Sequence, residues 1–127
     1  MRLALDVNCY RDVAANEPRA REAVERAERV YLPFVVLAGL RAGFLAGSRG
    51  RENERNLNRF LKQPRVRVLL PDEQTTMHYA TLQHQLRGQG TPIPTNDIWI
   101  AALTLQHNVS LHDRDGHFDS LPQLLRV

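Results

Sequence analysis

Three aspartates, Asp6, Asp97 and Asp115, stand where predicted elements of secondary structure begin or end. Asp6 follows the apolar run Leu3–Leu5, and Asp97 lies at the start of a predicted helix. Asp115 comes shortly after the run Val109–Leu111. Carboxylates that meet at one edge of a sheet repel one another unless a cation neutralises them, and such hard oxygen ligands suit Mg²⁺ or Mn²⁺. Two such ions about 4 Å apart can activate a water and stabilise the leaving oxygen in phosphodiester hydrolysis.

Each of these acids also has a simpler interpretation. Asp6 could cap the amino end of a helix, and Asp97 could complement the dipole of the helix that it opens. Asp115 could belong to a solvated turn, together with Asp113 and Asp119. The joint occurrence of Asp6, Asp97 and Asp115 at comparable places favours a metal-ligand role for these three. Asp119 is better explained as the cap of a turn.

The hydrophobic pattern predicts strands that alternate with helices along the whole chain. The predicted strands cover residues 3–5, 30–32, 66–70 and 109–111, with a possible short edge strand at 124–127. The predicted helices cover residues 18–29, 33–46, 51–63, 72–87 and 98–107. Parallel neighbours in a sheet require crossover helices. We therefore expect the α/β class, a three-layer α/β/α domain with a central, mostly parallel sheet whose carboxyl edge carries the site.

Size and composition restrict the class of protein. The chain has 127 residues, of which 43% are hydrophobic and 24% are charged, so we expect a single globular domain over residues 1–127. No apolar run approaches the roughly 20 residues that a membrane-spanning helix needs, so we expect no membrane association. Cys9 is the sole cysteine. It excludes an intrachain disulfide and a cysteine-based zinc site, and it indicates a cytoplasmic protein.

Positive charge is concentrated in the middle of the chain. The formal net charge is only +3, but eight bases lie between residues 41 and 67 against two acids. Arg51, Arg55 and Arg59 recur every four residues, which places them on one face of a helix. This face could contact nucleic-acid phosphates. An arginine-rich exposed face is also common in proteins without such a partner.

Five motifs, in order along the chain, resemble those of a VapC-type PIN domain. They are Leu5-Asp6-Val7-Asn8, the segment Val35–Phe44, the turn Leu86–Gly90, the segment Pro92–Ala102 and the segment Asp115–Leu121. The resemblance extends over essentially the whole chain. Each motif alone is weak, but the ordered set is specific.

The resemblance implies a metal-dependent endoribonuclease that acts on RNA as the toxin of a toxin–antitoxin pair. It also implies a homodimer restrained by a small VapB-like antitoxin over the acidic cleft. Asp6 and Asp97 would bind Mg²⁺ (or Mn²⁺), and Asp115 would bind it directly or through water. Asn8 would orient Asp6 or a water ligand.

Two positions depart from the pattern of the family. Gly39 stands where the family normally has a glutamate that helps to hold the metal. A glycine inside a helix costs about 1 kcal/mol relative to alanine, so helix stability does not explain it. Our hypothesis is an inactivating substitution, engineered or selected because an active toxin kills its host; a naturally degenerate copy is the competing explanation. Asp113 stands where the family more often has threonine or serine, and it could supply a substitute carboxylate.

Two other functions compete with an active ribonuclease. The first is a catalytically inert module of the same fold that engages an antitoxin, RNA or both. The second is a phosphoacceptor domain built on a strand-end aspartate, which would need a strand-end lysine. The sole lysine, Lys62, lies in a predicted helix, and Asn8 stands where a phosphatase of that kind would have its second acid. The phosphoacceptor alternative is therefore disfavoured.

Overall fold

The computed structural model of the chain describes residues 1–114 and 116–127. Its strands are β1 (Arg2–Leu5), β2 (Arg29–Pro33), β3 (Val66–Leu69) and β4 (Ser110–His112). Its helices are α1 (Val7–Ala14), α2 (Pro18–Arg26), α3 (Phe34–Ala46), α4 (Gly50–Leu61), α5 (Glu73–Gln89) and α6 (Thr95–His107), followed by a 3-10 turn at Gly116–Ser120. Within these described residues, no helix is both long enough and apolar enough to cross a membrane.

The four strands form one parallel sheet in the order β3-β2-β1-β4. In the central strand β1, Leu5 and the two residues before it are fully buried, as expected for a strand covered on both faces. The predicted α/β class and parallel sheet are confirmed. Leu5 is in register with His112 of β4. Asp6 and Asp113, which follow these two strands, therefore leave the sheet side by side at its carboxyl edge.

The sequence pattern does not predict α1. Val7, Asn8, Cys9 and Val13 are weak helix formers, and only two residues of this short helix are buried. The helix forms because Asp6 caps its amino end and because α2 and α3 pack against it. Packing of this kind depends on residues distant in the chain, so a local pattern does not reveal it.

Several element boundaries differ from those predicted, and two differences concern the carboxyl-terminal part of the chain. The possible edge strand at 124–127 is reduced to a single parallel bridge between Leu111 and Arg126. Helix α6 begins at Thr95, three residues earlier than predicted. The earlier start follows from Pro94, whose carbonyl accepts hydrogen bonds from the backbone N–H groups of Asp97 and Ile98. Proline is well suited to this place because its own missing N–H is not needed there.

Helix α3 is buried along only part of its length. Val35, Val36 and Leu40 are buried against the core, which agrees with the prediction of a helix packed on the sheet. Toward the end of α3 the apolar pattern continues, but Leu45 is 89% exposed. The carboxyl half of α3 instead pairs with α4 and borders an open groove.

Candidate metal centre

Asp6 is positioned by the end of β1 and the start of α1. The residue is only 6% exposed. Its Oδ1 accepts a hydrogen bond from the backbone N–H of Cys9 at 2.8 Å, so the interpretation as a helix cap is correct. A carboxylate offers about four lone-pair directions. One capping hydrogen bond is therefore compatible with a second role as a metal ligand.

Asp97 lies in the first turn of α6, where the helix dipole favours a negative charge. Its Oδ2 lies 2.6 Å from Nδ1 of His117, 20 residues further along the chain. The side chain of Asp97 is 18% exposed, against 46% for His117. Sequence reasoning did not place His117 in the site, because no spacing rule connects the two residues. The contact arises where the 3-10 turn packs against α6.

Asp113 is bound by an arginine from the end of the chain. Its side chain is 1% exposed, and its two oxygens accept from Nε and Nη2 of Arg126 at 3.0 and 2.8 Å. Nη1 of Arg126 donates to Asp119 at 2.6 Å. Hydrogen bonds to both aspartates raise the pKa of Arg126, so the guanidinium stays charged. A metal ion bound by Asp113 would have to displace this cation.

Asp115 lies outside the described residues, but its neighbours in the chain have defined contacts. Arg114 donates to Asp12 of α1 from Nε at 2.8 Å and from Nη2 at 3.1 Å. On the other side, His117 contacts Asp97 of α6. The chain on either side of Asp115 is thus attached to the two helices whose amino ends carry the other candidate ligands.

The thiol of Cys9 lies close to three carboxylates. Burial raises the pKa of this thiol above its ordinary range, and the carboxylates of Asp6, Asp12 and Asp113 raise it further. All three acids therefore act on the same small region. Arg114 pairs with Asp12 and Arg126 pairs with Asp113, so these cations contribute to the local field as well.

Position 39 faces this region from α3. A Cβ added to Gly39 would meet Cγ2 of Val7 at 3.4 Å, an ordinary van der Waals distance. Val7 directly follows Asp6, and the exposed Asn8 comes next in α1. A side chain at position 39 would therefore begin next to Val7, at the amino end of α1.

The donor set fits a hard divalent cation. Asp6 and Asp97 offer carboxylate oxygens, which suit Mg²⁺ and Mn²⁺ better than softer metals. Across residues 1–114 and 116–127, no group of three or more His, Cys, Asp or Glu side chains could hold a metal ion. A centre with three carboxylates would accordingly have to include Asp115.

Comparison with known sequences identifies similar proteins. The PIN domain family matches residues 4–124. Ribonuclease VapC1 of Haemophilus influenzae is 32% identical over 111 residues, which cover 84% of this chain and 81% of the relative. Ribonuclease VapC4 of Mycobacterium tuberculosis is 30% identical over 90 residues, which cover 71% of this chain and 69% of the relative. PIN ribonucleases generally depend on a divalent metal.

Solved structures show the same architecture. VapBC-1 from nontypeable Haemophilus influenzae superimposes with a TM-score of 0.88 at 29% identity, covering 100% of this chain and 97% of that chain. FitAcB from Neisseria gonorrhoeae gives a TM-score of 0.75 at 24% identity, covering 98% and 95%. At the lower identity the similarity concerns the fold alone.

Proposed function

Because the chain belongs to the PIN-domain family, among the VapC-type ribonucleases, we propose that it hydrolyses RNA phosphodiester bonds as the toxin of a VapBC-type pair. The observation that carries the proposal is the pair Asp6 and Asp97. Each is a largely buried aspartate at the amino end of a helix, and each is held by a defined hydrogen bond. Such restraint keeps catalytic carboxylates in place before substrate arrives.

We propose that Asp6, Asp97 and Asp115 hold the divalent ion, Mg²⁺ or Mn²⁺. When bound, the ion supplies an activated water and neutralises charge on the leaving oxygen. The protein's own contribution is positional. The amide of Cys9 orients Asp6, and His117 orients Asp97.

The supporting residues have separate roles in this proposal. Asn8 orients Asp6 or a water ligand from the first turn of α1. Asp113 positions the segment that carries Asp115, because both of its oxygens already accept from Arg126. It becomes a metal ligand only if that arginine is displaced.

Gly39 makes this chain a weakened or inert member of the family. Loss of one electrostatic stabiliser of a transition state costs about 10²- to 10³-fold in rate. The alternative function, an inert module that binds antitoxin or RNA, applies if the remaining acids do not suffice. An added Cβ at position 39 is tolerated, since its nearest atom is Cγ2 of Val7 at 3.4 Å.

The test is RNA cleavage in Mg²⁺ or Mn²⁺ by the unaltered chain, by Gly39→Glu and by Gly39→Glu with Asp6→Asn. We expect Gly39→Glu to raise the rate about 10²-fold or more and Asp6→Asn to abolish that gain. Gly88→Glu is the matched control. It also places a glutamate in a helix, at a position where an added Cβ meets nothing within 4 Å among the described residues, and it should leave the rate unchanged.

Two other outcomes of the cleavage test would change the proposed function or the proposed ligands. If no variant cleaves RNA although the folded protein binds metal, the inert binding module is the better description. If the unaltered chain cleaves as fast as Gly39→Glu, Asp113 is the candidate replacement acid. In that case Asp113→Asn should remove the activity.

We also propose the partners that the family implies: RNA as substrate, a VapB-like antitoxin and a second copy of the chain. The support is the similarity to VapBC-1, whose name denotes a toxin–antitoxin complex. A cytoplasmic location is consistent with the single, unpaired Cys9. Sedimentation of the chain alone and with the antitoxin would establish the two assemblies.

A further inference from the structure

The exposed face of α4 carries a row of positive charges, here called the basic stripe: Arg51, Arg55, Arg59 and Lys62. Their spacing of four, four and three residues keeps them on one side of the helix. At 1.5 Å per residue the stripe is about 16 Å long, with successive charges about 6 Å or less apart along the axis. Each side chain can therefore reach a different phosphate of an extended strand.

The acids near the stripe are already paired with other arginines. Glu54 binds Arg41 of α3, with Nη2 to Oε2 at 3.1 Å. Glu52 binds Arg49, with Nη2 to Oε2 at 2.7 Å. These are the two acids between residues 41 and 67. They neutralise arginines outside the stripe and leave the stripe's own charge uncompensated by any carboxylate of the described residues.

The other bases of this stretch have structural contacts. Arg65 donates to the carbonyls of Val24 and Ala27 at 2.6 Å each. Arg67 donates to the carbonyl of Val66 at 3.0 Å. Within the stripe, the one side-chain bond among described residues is from Arg59 to Asn56 at 3.5 Å, which leaves its charge in place. Four of the eight bases are thus available to an external anion.

An open groove of about 960 Å³ lies beside the stripe, between the end of α3 and the start of α4. Arg51 and Arg55 line it, together with the half-buried ring of Phe44 and the 89% exposed Leu45. Cations beside an aromatic ring are the combination that binds single-stranded nucleic acid, because phosphates meet the charges while a base stacks on the ring. Double-stranded RNA would offer no free base to such a ring.

The groove and the proposed site lie on different faces of α3, because two residues along a helix correspond to a rotation of about 200°. Arg41, on the wall of the groove, is two residues beyond Gly39, or about 3 Å along the helix axis. Gly39 in turn faces Val7, next to Asp6. A strand whose scissile phosphate is at the acids would therefore have to pass around α3 to reach the groove.

We propose that the basic stripe and the adjoining groove bind single-stranded RNA at a surface separate from the acidic site. The inference rests on the proposed ribonuclease function and adds where the substrate is held. Phosphates contact Arg51 and Arg55, and a base stacks on Phe44. Arg59 and Lys62 extend the contact along α4.

The test is binding of a fluorescent single-stranded RNA of about 12 nucleotides, measured by anisotropy in EDTA at several salt concentrations. EDTA prevents cleavage, so the readout is independent of catalysis. Each phosphate contact on a single strand contributes about −0.7 to the slope of log K against log salt. For Arg51→Ala/Arg55→Ala we expect the slope to flatten by about 1.4 and the affinity at 0.1 M salt to fall about 20-fold.

The matched control is Arg26→Ala/Arg29→Ala, which removes two exposed positive charges at the opposite, amino edge of the sheet. It should leave the slope unchanged and the affinity within about twofold. Phe44→Leu keeps an apolar side chain but removes the ring, so it should weaken binding about fivefold or more with no change in slope. Equal thermal midpoints for all variants would show that folding is not the cause.

The outcomes separate this inference from the proposed function. An unchanged salt slope in Arg51→Ala/Arg55→Ala, or no binding by the unaltered chain, overturns the RNA surface even if Gly39→Glu cleaves. If the salt slope is unchanged in Arg51→Ala/Arg55→Ala but this variant binds the antitoxin more weakly, the stripe contacts a protein partner instead. A flattened slope with no cleavage by any variant supports the RNA surface while the nuclease proposal fails.

Discussion

Asp113 and Arg126 show how a single residue pair can hold a candidate catalytic segment. The pair joins the end of β4 to the residue that bridges Leu111, and Asp113 is almost completely buried. Arg114 and His117 attach the same segment to α1 and α6. The residues around Asp115 are therefore held by side-chain contacts that come from three different directions.

Removal of Arg126 should destabilise the protein, because it leaves Asp113 buried without its counter-charge. We expect Arg126→Ala to lower the free energy of unfolding by about 2 kcal/mol, below the value for a fully buried pair because the arginine is 32% exposed. Urea denaturation measures this. Arg49→Ala is the control, since its ion pair with Glu52 is exposed and should contribute at most about 0.5 kcal/mol. Equal effects of the two substitutions would contradict the assigned role.

At the scale of elements, α5 and α6 are joined by a cap that also bridges the two helices. Oδ1 of Asp72 accepts from the backbone N–H of Thr75 at 3.2 Å, and the amide of Asp72 donates to the Thr75 hydroxyl at 2.9 Å. Nε2 of Gln106, near the end of α6, donates to the same Asp72 oxygen at 2.8 Å. The hydrogen bond from Gln106, and after it those that Thr75 donates to the carboxylate, lower the pKa of Asp72.

We expect Asp72→Ala to lower the free energy of unfolding by about 1 kcal/mol, the usual effect of losing a helix cap. Asp72→Asn should recover most of this loss, because the amide oxygen can still accept the capping hydrogen bond. Chemical denaturation of the two variants provides the comparison. If alanine and asparagine have the same effect, the charge of Asp72 matters and the cap does not.

The elements also show what the sequence can predict. The parallel sheet and five of the six helices follow from hydrophobic period and from the glycine and proline boundaries. Helix α1 does not, because its stability depends on the Asp6 cap and on its packing against α2 and α3. The rule that parallel strands share a carboxyl edge places Asp6 and Asp113 together, as the register confirms. The contacts of His117 and Arg126 follow no spacing rule, since they exist only after the chain has folded.

For the whole molecule, the distribution of charge matters more than its sum. The net charge is +3, yet acids collect around the amino end of α1 while bases collect along α4. One region suits a cation and the other suits a polyanion. The acids around α1 lie beside the buried thiol of Cys9. Their proximity makes the free energy of unfolding depend on pH.

The expected pH dependence is a loss of stability at high pH. Burial and the nearby carboxylates raise the pKa of the Cys9 thiol, and burial with the Glu54 charge raises that of Tyr10. A group whose pKa is higher in the folded state binds its proton more tightly there. Its contribution is fully present below the unfolded-state pKa, about 8.5 for cysteine and 10 for tyrosine, and is lost as pH rises toward the folded values. We therefore expect the free energy of unfolding to fall above about pH 9.

Cys9→Ala and Tyr10→Phe separate the two contributions. Each titrating group adds up to about 1.4 kcal/mol per pH unit to the decline, so Cys9→Ala should flatten the curve from about pH 9 upward, and Tyr10→Phe should flatten it only above about pH 10. Urea denaturation at each pH gives the curves, and the absolute stabilities are compared only within each variant because Cys9→Ala also leaves a small cavity. If Cys9→Ala declines as steeply as the unaltered chain, the thiol is not responsible for the loss. Neither the burial of the thiol nor the acids around α1 would then have a measurable effect on its titration.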